Sequence, residues 1–208
     1  MTRVLYLHGF ASGPSSSKAR YFREQFEASR LHIEVPELAG GDFEHLTVTG
    51  QLAVIERCAN GEPVGLIGSS LGGYLAALYA ARHPEVERVV LLAPAFDFAR
   101  HWAEYLGPQQ VAAWQRTGTI EVFHYADGRK RKLSYELLED AGRYEAFPDF
   151  RQPALIFHGA HDEVVPVRYS QQFADSHKNV VLEILDSGHE LTNVLEYMAL
   201  RVLEFLKE

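Results

Sequence analysis

Gly68-Ser69-Ser70-Leu71-Gly72 has the residue types and spacing of a serine turn built for nucleophilic attack. An apolar run at residues 64–67 precedes it and an alanine-rich amphipathic stretch follows from Gly73, the strand–turn–helix context that gives such a pentapeptide meaning. A serine hydroxyl attacks a carbonyl carbon well when it projects from a sharp turn. The flanking strand and helix then come too close for a Cβ two residues to either side. Ser70 has glycine at both of those positions, whereas Ser69 has Ile67 and Leu71, so Ser70 is the expected nucleophile.

Such a serine needs a base, an acid to orient the base, and donors for the oxyanion that forms. His189, in Asp186-Ser187-Gly188-His189-Glu190, is the expected base, with a glycine before it that gives the loop room to turn. Asp162, in Gly159-Ala160-His161-Asp162-Glu163-Val164-Val165-Pro166, is the expected acid, fixing the tautomer of His189 and balancing its imidazolium. Glu163 and Asp97 are rival acids, and His161 lies too close to Asp162 in the chain to be its partner. Serine, acid and histidine then follow one another in the order Ser…Asp…His. The backbone N–H groups of Leu71 and Phe10 are the expected oxyanion donors, with Ala11 as a substitute for Phe10.

The elements that must hold these loops are legible as alternation. Short apolar runs at residues 4–7, 33–35, 64–67, 89–93, 154–158 and 180–185 read as six strands. Helical-period segments at 16–30, 46–59, 71–82, 167–177 and 191–206 lie between or after them. This pattern predicts a doubly wound, mostly parallel six-stranded α/β sheet covered on both faces, in one domain spanning 1–208. The rhythm breaks over about 95–150, where helices at 98–106, 108–116 and 135–141 surround a hairpin of 119–125 and 129–133 across Ala126-Asp127-Gly128. An excursion of this length is too large for a connection and should form a small lid over the carboxyl end of the sheet. Among the aromatic residues there, Phe96 and Trp102, together with Phe10, are the expected substrate contacts.

Composition narrows the function further. A net charge of −8 argues against a nucleic-acid or anionic-membrane binder. The single Cys58 cannot close an intramolecular disulfide, and the four apolar residues 4–7 are too few for a signal-peptide core, so a cytoplasmic location is expected. No His/Cys/Asp group has metal-ligand spacing. Arg129-Lys130-Arg131-Lys132 reads as a solvated hairpin rather than an anion site.

Taken together, the His8-Gly9-Phe10 loop, the Gly68–Gly72 turn, the Gly159…Asp162…Val165-Pro166 loop and Gly188-His189 resemble the α/β-hydrolase superfamily. The short length and the opening Leu5-Tyr6-Leu7-His8-Gly9-Phe10 are similar to the small bacterial YqiA-like serine esterases, whose reduced sheet begins directly with the oxyanion-loop strand. The resemblance implies a carboxylesterase-type hydrolase acting on small, uncharged or weakly polar ester substrates without metal or cofactor. A thioesterase acting on acyl-CoA and a hydrolase-fold binding protein are its rivals.

Overall fold

The computed structural model describes residues 3–207. Six strands form one sheet: β1 (Arg3–Leu7), β2 (Ile33–Glu34), β3 (Val64–Ser69), β4 (Val86–Leu92), β7 (Ala154–Gly159) and β8 (Val180–Leu185). Their order is β2-β1-β3-β4-β7-β8 and every neighbouring pair is parallel. The order reverses at β1, since the chain adds β2 on one side of it and β3 on the other. The carboxyl ends of β1 and β3 therefore flank the crevice in which ligands of such sheets bind.

Alternation along the strands sorts the core into two layers. Val4, Tyr6, Ile67, Val90, Leu92, Leu155 and Phe157 pack beneath α1 (Ser17–Ala28) and α8 (Leu195–Phe205). Leu5, Leu7, Leu66, Val89, Leu91 and Ile156 face the opposite way, toward α2 (Val48–Ala59), α3 (Leu71–Ala80) and α7 (Val167–Ser176). Strands buried on both faces must be apolar throughout, and this is why they read as runs rather than as alternating sequences.

Between β4 and β7 lie α4 (Phe98–Leu106), α5 (Pro108–Thr117), the antiparallel pair β5 (Thr119–His124) and β6 (Arg129–Ser134), and α6 (Glu136–Ala141). Trp114 and Leu133 are fully buried, joined by a 3.0 Å bond from the Trp114 indole to the Leu133 carbonyl, and they belong to the same apolar cluster as α2 and α3. The hairpin is tied to the loop after β1 by a 2.7 Å bond from the Tyr125 amide to the Ala11 carbonyl. On α4, His101 reaches the Val164 carbonyl at 2.8 Å.

Several element ends differ by a few residues from the sequence reading, and two of these shifts have clear local reasons. The last helix does not start at 191, because Leu191 adopts a left-handed φ of 54°; a 3₁₀ turn (Thr192–Val194) intervenes before Leu195. β4 begins at Val86 rather than 89, where an irregularity opposite Val64 and Gly65 lets three more residues join the sheet. Among the described residues, no helix is long and apolar enough to cross a membrane.

Candidate active site

Ser70 sits between β3 and α3 with φ 53° and ψ −117°, a conformation that costs a non-glycine residue about 1–3 kcal/mol. The turn is held from several sides. The Ser70 amide donates to the Leu92 carbonyl (2.9 Å), and the Ser70 carbonyl accepts from the amides of Gly73 (2.9 Å), Tyr74 (3.1 Å) and Ala95 (3.0 Å). A Cβ on Gly68 would collide with the Gly72 carbonyl, and one on Gly72 would collide with the carbonyls of Leu7 and His8. The start of α3 is thus pressed against the end of β1 through bare backbone. Gly72→Ala is expected to destabilise the fold by about 3 kcal/mol, because neither strand nor helix can yield alone; the shift of the urea midpoint measures it.

His189 and Asp162 meet Ser70 in a continuous chain. His189 Nε2 is 3.1 Å from Ser70 Oγ, and His189 Nδ1 is 2.7 Å from Asp162 Oδ2. The two loops that carry them interlock: a Cβ on Gly159 would run into the Ser187 and Gly188 carbonyl oxygens, and the His161 amide donates to Ser187 O at 3.0 Å. The Asp162 side chain is fully buried. Its Oδ1 accepts from the amides of Val164 and Val165, each at 2.8 Å.

Burial opposes ionisation of Asp162, but hydrogen bonds from His158 and His189, the His189 charge and the Val165 amide outweigh it and hold the carboxyl below the usual carboxylate range. An ionised carboxylate only accepts, so His189 Nδ1 carries the proton and Nε2 is left to accept from the Ser70 hydroxyl. A depressed carboxyl pKa adds stability that is complete above the unfolded-state value and is lost as pH falls through the window below it. The stability that Asp162 contributes over Asp162→Asn should therefore be retained above about pH 5 and shrink below about pH 4. Denaturant titrations at three pH values check this.

One supporting residue has no counterpart in the sequence reading. His158, at the end of β7, is fully buried, with Nε2 2.9 Å from the Val165 carbonyl and 3.2 Å from Asp162 Oδ2, and Nδ1 2.8 Å from Ser170 Oγ. A carbonyl cannot donate, so Nε2 is protonated and also points its proton at the acid, while Nδ1 accepts from Ser170. The signal in the sequence is a lone polar residue ending an apolar strand four residues before the aspartate.

The rival residues are engaged elsewhere. Asp97 pairs with Arg100 at 2.5 Å, His161 with the exposed Asp186 at 2.8 Å, and Glu163 is exposed on the loop. His8 turns away from Ser70: Nδ1 bonds the Gly9 carbonyl at 3.0 Å and Nε2 accepts from the Leu38 amide at 3.3 Å, and burial pushes its pKa down. It fixes the loop that carries Phe10. Leu71 is the first residue of α3, and its amide is free of intrahelical bonding by helix geometry. Gly9 lies against Ser70, where an added Cβ would be 3.5 Å from that of the serine, which places the Phe10 segment beside the turn.

A cleft of about 580 Å³ opens at this point, bordered by Ser70, His189, Phe10, Tyr125, Ala126 and Val164 among others. Of the expected substrate contacts, only Phe10 lines it. Phe96 must be corrected: it is fully buried, stacked on Phe173 with ring centres 4.5 Å apart, because the chain turns inward after Pro94. Trp102 also falls outside the cleft lining. It stands behind Phe10 at 5.1 Å and against Trp114 at 5.3 Å, so it supports the cleft wall rather than forming it. Arg131 of the basic run is paired with Asp127 at 2.9 Å.

Human monoacylglycerol lipase ABHD6 is 24% identical to this chain, with 90% of the chain aligned to 70% of that protein. A pimeloyl-[acyl-carrier protein] methyl ester esterase from Aromatoleum aromaticum is 26% identical over 82% of this chain and 84% of its own. The solved structure of mouse alpha/beta hydrolase domain-containing protein 10 superposes with a TM-score of 0.83 at 20% identity, covering 99% of this chain and 89% of that one. With residues 3–207 matching its profile, and with the fold of the α/β-hydrolase structure on which it superposes, the chain belongs to the family described as Uncharacterised protein family (UPF0227).

Proposed function

We propose that the protein is a serine hydrolase of carboxylic esters, in which Ser70, His189 and Asp162 act as nucleophile, base and orienting acid. The observation that carries this is the unbroken run from Ser70 Oγ to His189 (3.1 Å) to Asp162 (2.7 Å), at a strained turn opening into a cleft. Lipases and an esterase among the relatives support the same class of reaction.

In this reading His189 Nε2 takes the Ser70 proton as Oγ attacks the acyl carbonyl. The oxyanion accepts hydrogen bonds from the amides of Leu71 and Phe10. Asp162 stabilises the imidazolium, which returns its proton to the departing alkoxide. Water, deprotonated by His189, then attacks the acyl-enzyme, and His189 returns that proton to Ser70 Oγ as the bond to the acyl carbon breaks and the acid leaves. The mechanism draws on protein groups alone, and the 95–150 insert serves as the lid, contributing Tyr125 and Ala126 to the cleft wall.

The test is turnover of p-nitrophenyl esters together with labelling by a fluorophosphonate probe. Ester hydrolysis with covalent modification mapped to Ser70 is the expected result. Absence of both would mean a binding protein that keeps the fold without the chemistry. A thioester presents the same carbonyl to the same groups, and acyl-CoA run beside the p-nitrophenyl esters ranks the two leaving groups.

A further inference from the structure

On the α1 side of Ser70 the cleft is walled by groups that the ester reaction leaves without a role. The loop after β1 and the first turn of α1 bring Ser15, Ser16, Ser17 and Lys18 to the cleft. The Lys18 side chain is only 12% exposed, and its Nζ donates one hydrogen bond, at 2.9 Å, to the Glu190 carbonyl. An ammonium has three donors, so two remain for another partner. Ser17 and Lys18 are the first two residues of a twelve-residue helix, and their amides have no intrahelical acceptor.

Tyr6, on the face of β1 that looks toward α1, also borders this part of the cleft. Its ring is fully buried. Among the described residues its hydroxyl is the only buried side-chain polar atom without a hydrogen-bond partner. Burial pushes the hydroxyl pKa up, so it stays a neutral donor; Ser69 lies near enough to temper that shift but does not meet hydrogen-bond geometry. A buried hydroxyl left unpaired carries a desolvation penalty that a ligand acceptor would relieve.

These groups share one property, which is that they donate. A hydrocarbon chain laid over them would strip water from an ammonium and a helix N-terminus, leave the phenol unpaired and give nothing back. We propose that this wall is a subsite for an anionic group, a carboxylate or a phosphate, carried by the substrate. The preferred substrates are then esters with an acidic substituent, in place of the uncharged ones expected from the sequence. The proposal rests on the ester-hydrolase reading of Ser70.

Two carboxylates bear on the subsite. Asp162 is buried and committed to His189 and His158. Glu190 Oε2 lies 3.8 Å from Lys18 Nζ, but its side chain is 76% exposed and free to swing into solvent when an anion arrives. Burial lowers the Lys18 pKa, and Glu190 and Asp162 pull it back up.

The experiment compares kcat/KM within two pairs of esters, each a neutral ester beside an anionic one: p-nitrophenyl butyrate with mono-p-nitrophenyl glutarate, and butyrylglycerol with a butyryl ester of glycerol 3-phosphate. Wild type should favour at least one anionic ester over its neutral counterpart by about 10-fold, expressed in KM. The identity of that ester separates carboxylate from phosphate. Lys18→Met should bring the ratio to about one, Tyr6→Phe should reduce it severalfold, and Glu190→Gln should raise it. Equal rates for neutral and anionic esters in wild type would overturn the proposal. So would a Lys18→Met variant that loses kcat on all esters alike with the ratio preserved, since Lys18 would then only anchor the His189 loop through Glu190. Should no ester be turned over, calorimetry with glutarate and with inorganic phosphate still decides the subsite: Lys18-dependent binding upholds it and absence of binding refutes it.

Discussion

Ser70→Ala is expected to lower kcat on p-nitrophenyl esters by a factor on the order of 10⁵–10⁶, leaving only the contribution of oxyanion binding and substrate positioning. The fold should be untouched. Alanine bears the same penalty at φ 53° as serine, and the bonds that hold the turn run through the backbone amide and carbonyl of residue 70. Thermal midpoints of the two proteins should agree within a few degrees. Ser70→Gly separates strain from chemistry: it removes the hydroxyl and relaxes the left-handed backbone, so it should be equally inactive but more stable by about 1 kcal/mol. A Ser70→Ala protein with more than a few per cent of wild-type turnover would remove this serine from the reaction.

Asp162→Asn is expected to cost about 10⁴ in kcat, with little change in KM. The reason lies in tautomers. Asp162 Oδ2 accepts from His189 Nδ1, which leaves Nε2 able to take the serine proton. In the variant, the Val164 and Val165 amides would hold the carbonyl oxygen of the new side chain where Oδ1 is, turning its amide nitrogen toward His189. That nitrogen donates, so His189 would have to accept at Nδ1 and protonate at Nε2, where it can no longer act as a base. His158 adds to the effect, since its Nε2–H faces the same position and would meet a donor instead of an oxygen. Stopped assays at saturating ester across pH 6–9 measure the loss. A decrease below about tenfold would mean that another carboxylate orients the imidazole.

Much of this arrangement can be read directly from particular residues. Ser70 stands out because glycine at 68 and 72 answers a steric demand that any strand–turn–helix nucleophile makes, and the folded backbone leaves no room for a Cβ at either position. The hairpin is visible in Asp127-Gly128, where Gly128 takes φ 65°. Phe96 is misread from sequence because burial depends on which way the chain turns after Pro94, a property of the neighbours rather than of the residue. Trp102 is misplaced for a related reason: a wall and its backing are both aromatic, and periodicity does not distinguish them. His158 escapes notice because its value depends on the distance to Asp162 across a folded loop.

The chain of 208 residues determined by itself its strand and helix order, the two-layer division of its core and which serine the turn between β3 and α3 presents, because each follows from local patterning of apolar residues and glycine. Only the tertiary structure decided that residues 70, 162 and 189 lie within hydrogen-bond reach, that His158 supports the acid, and that Tyr6 and Lys18 face one cleft. The first of those relations joins segments far apart in the chain, and it exists only once parallel strands bring their carboxyl ends to a common edge; the others depend on how short loops fold beside that edge.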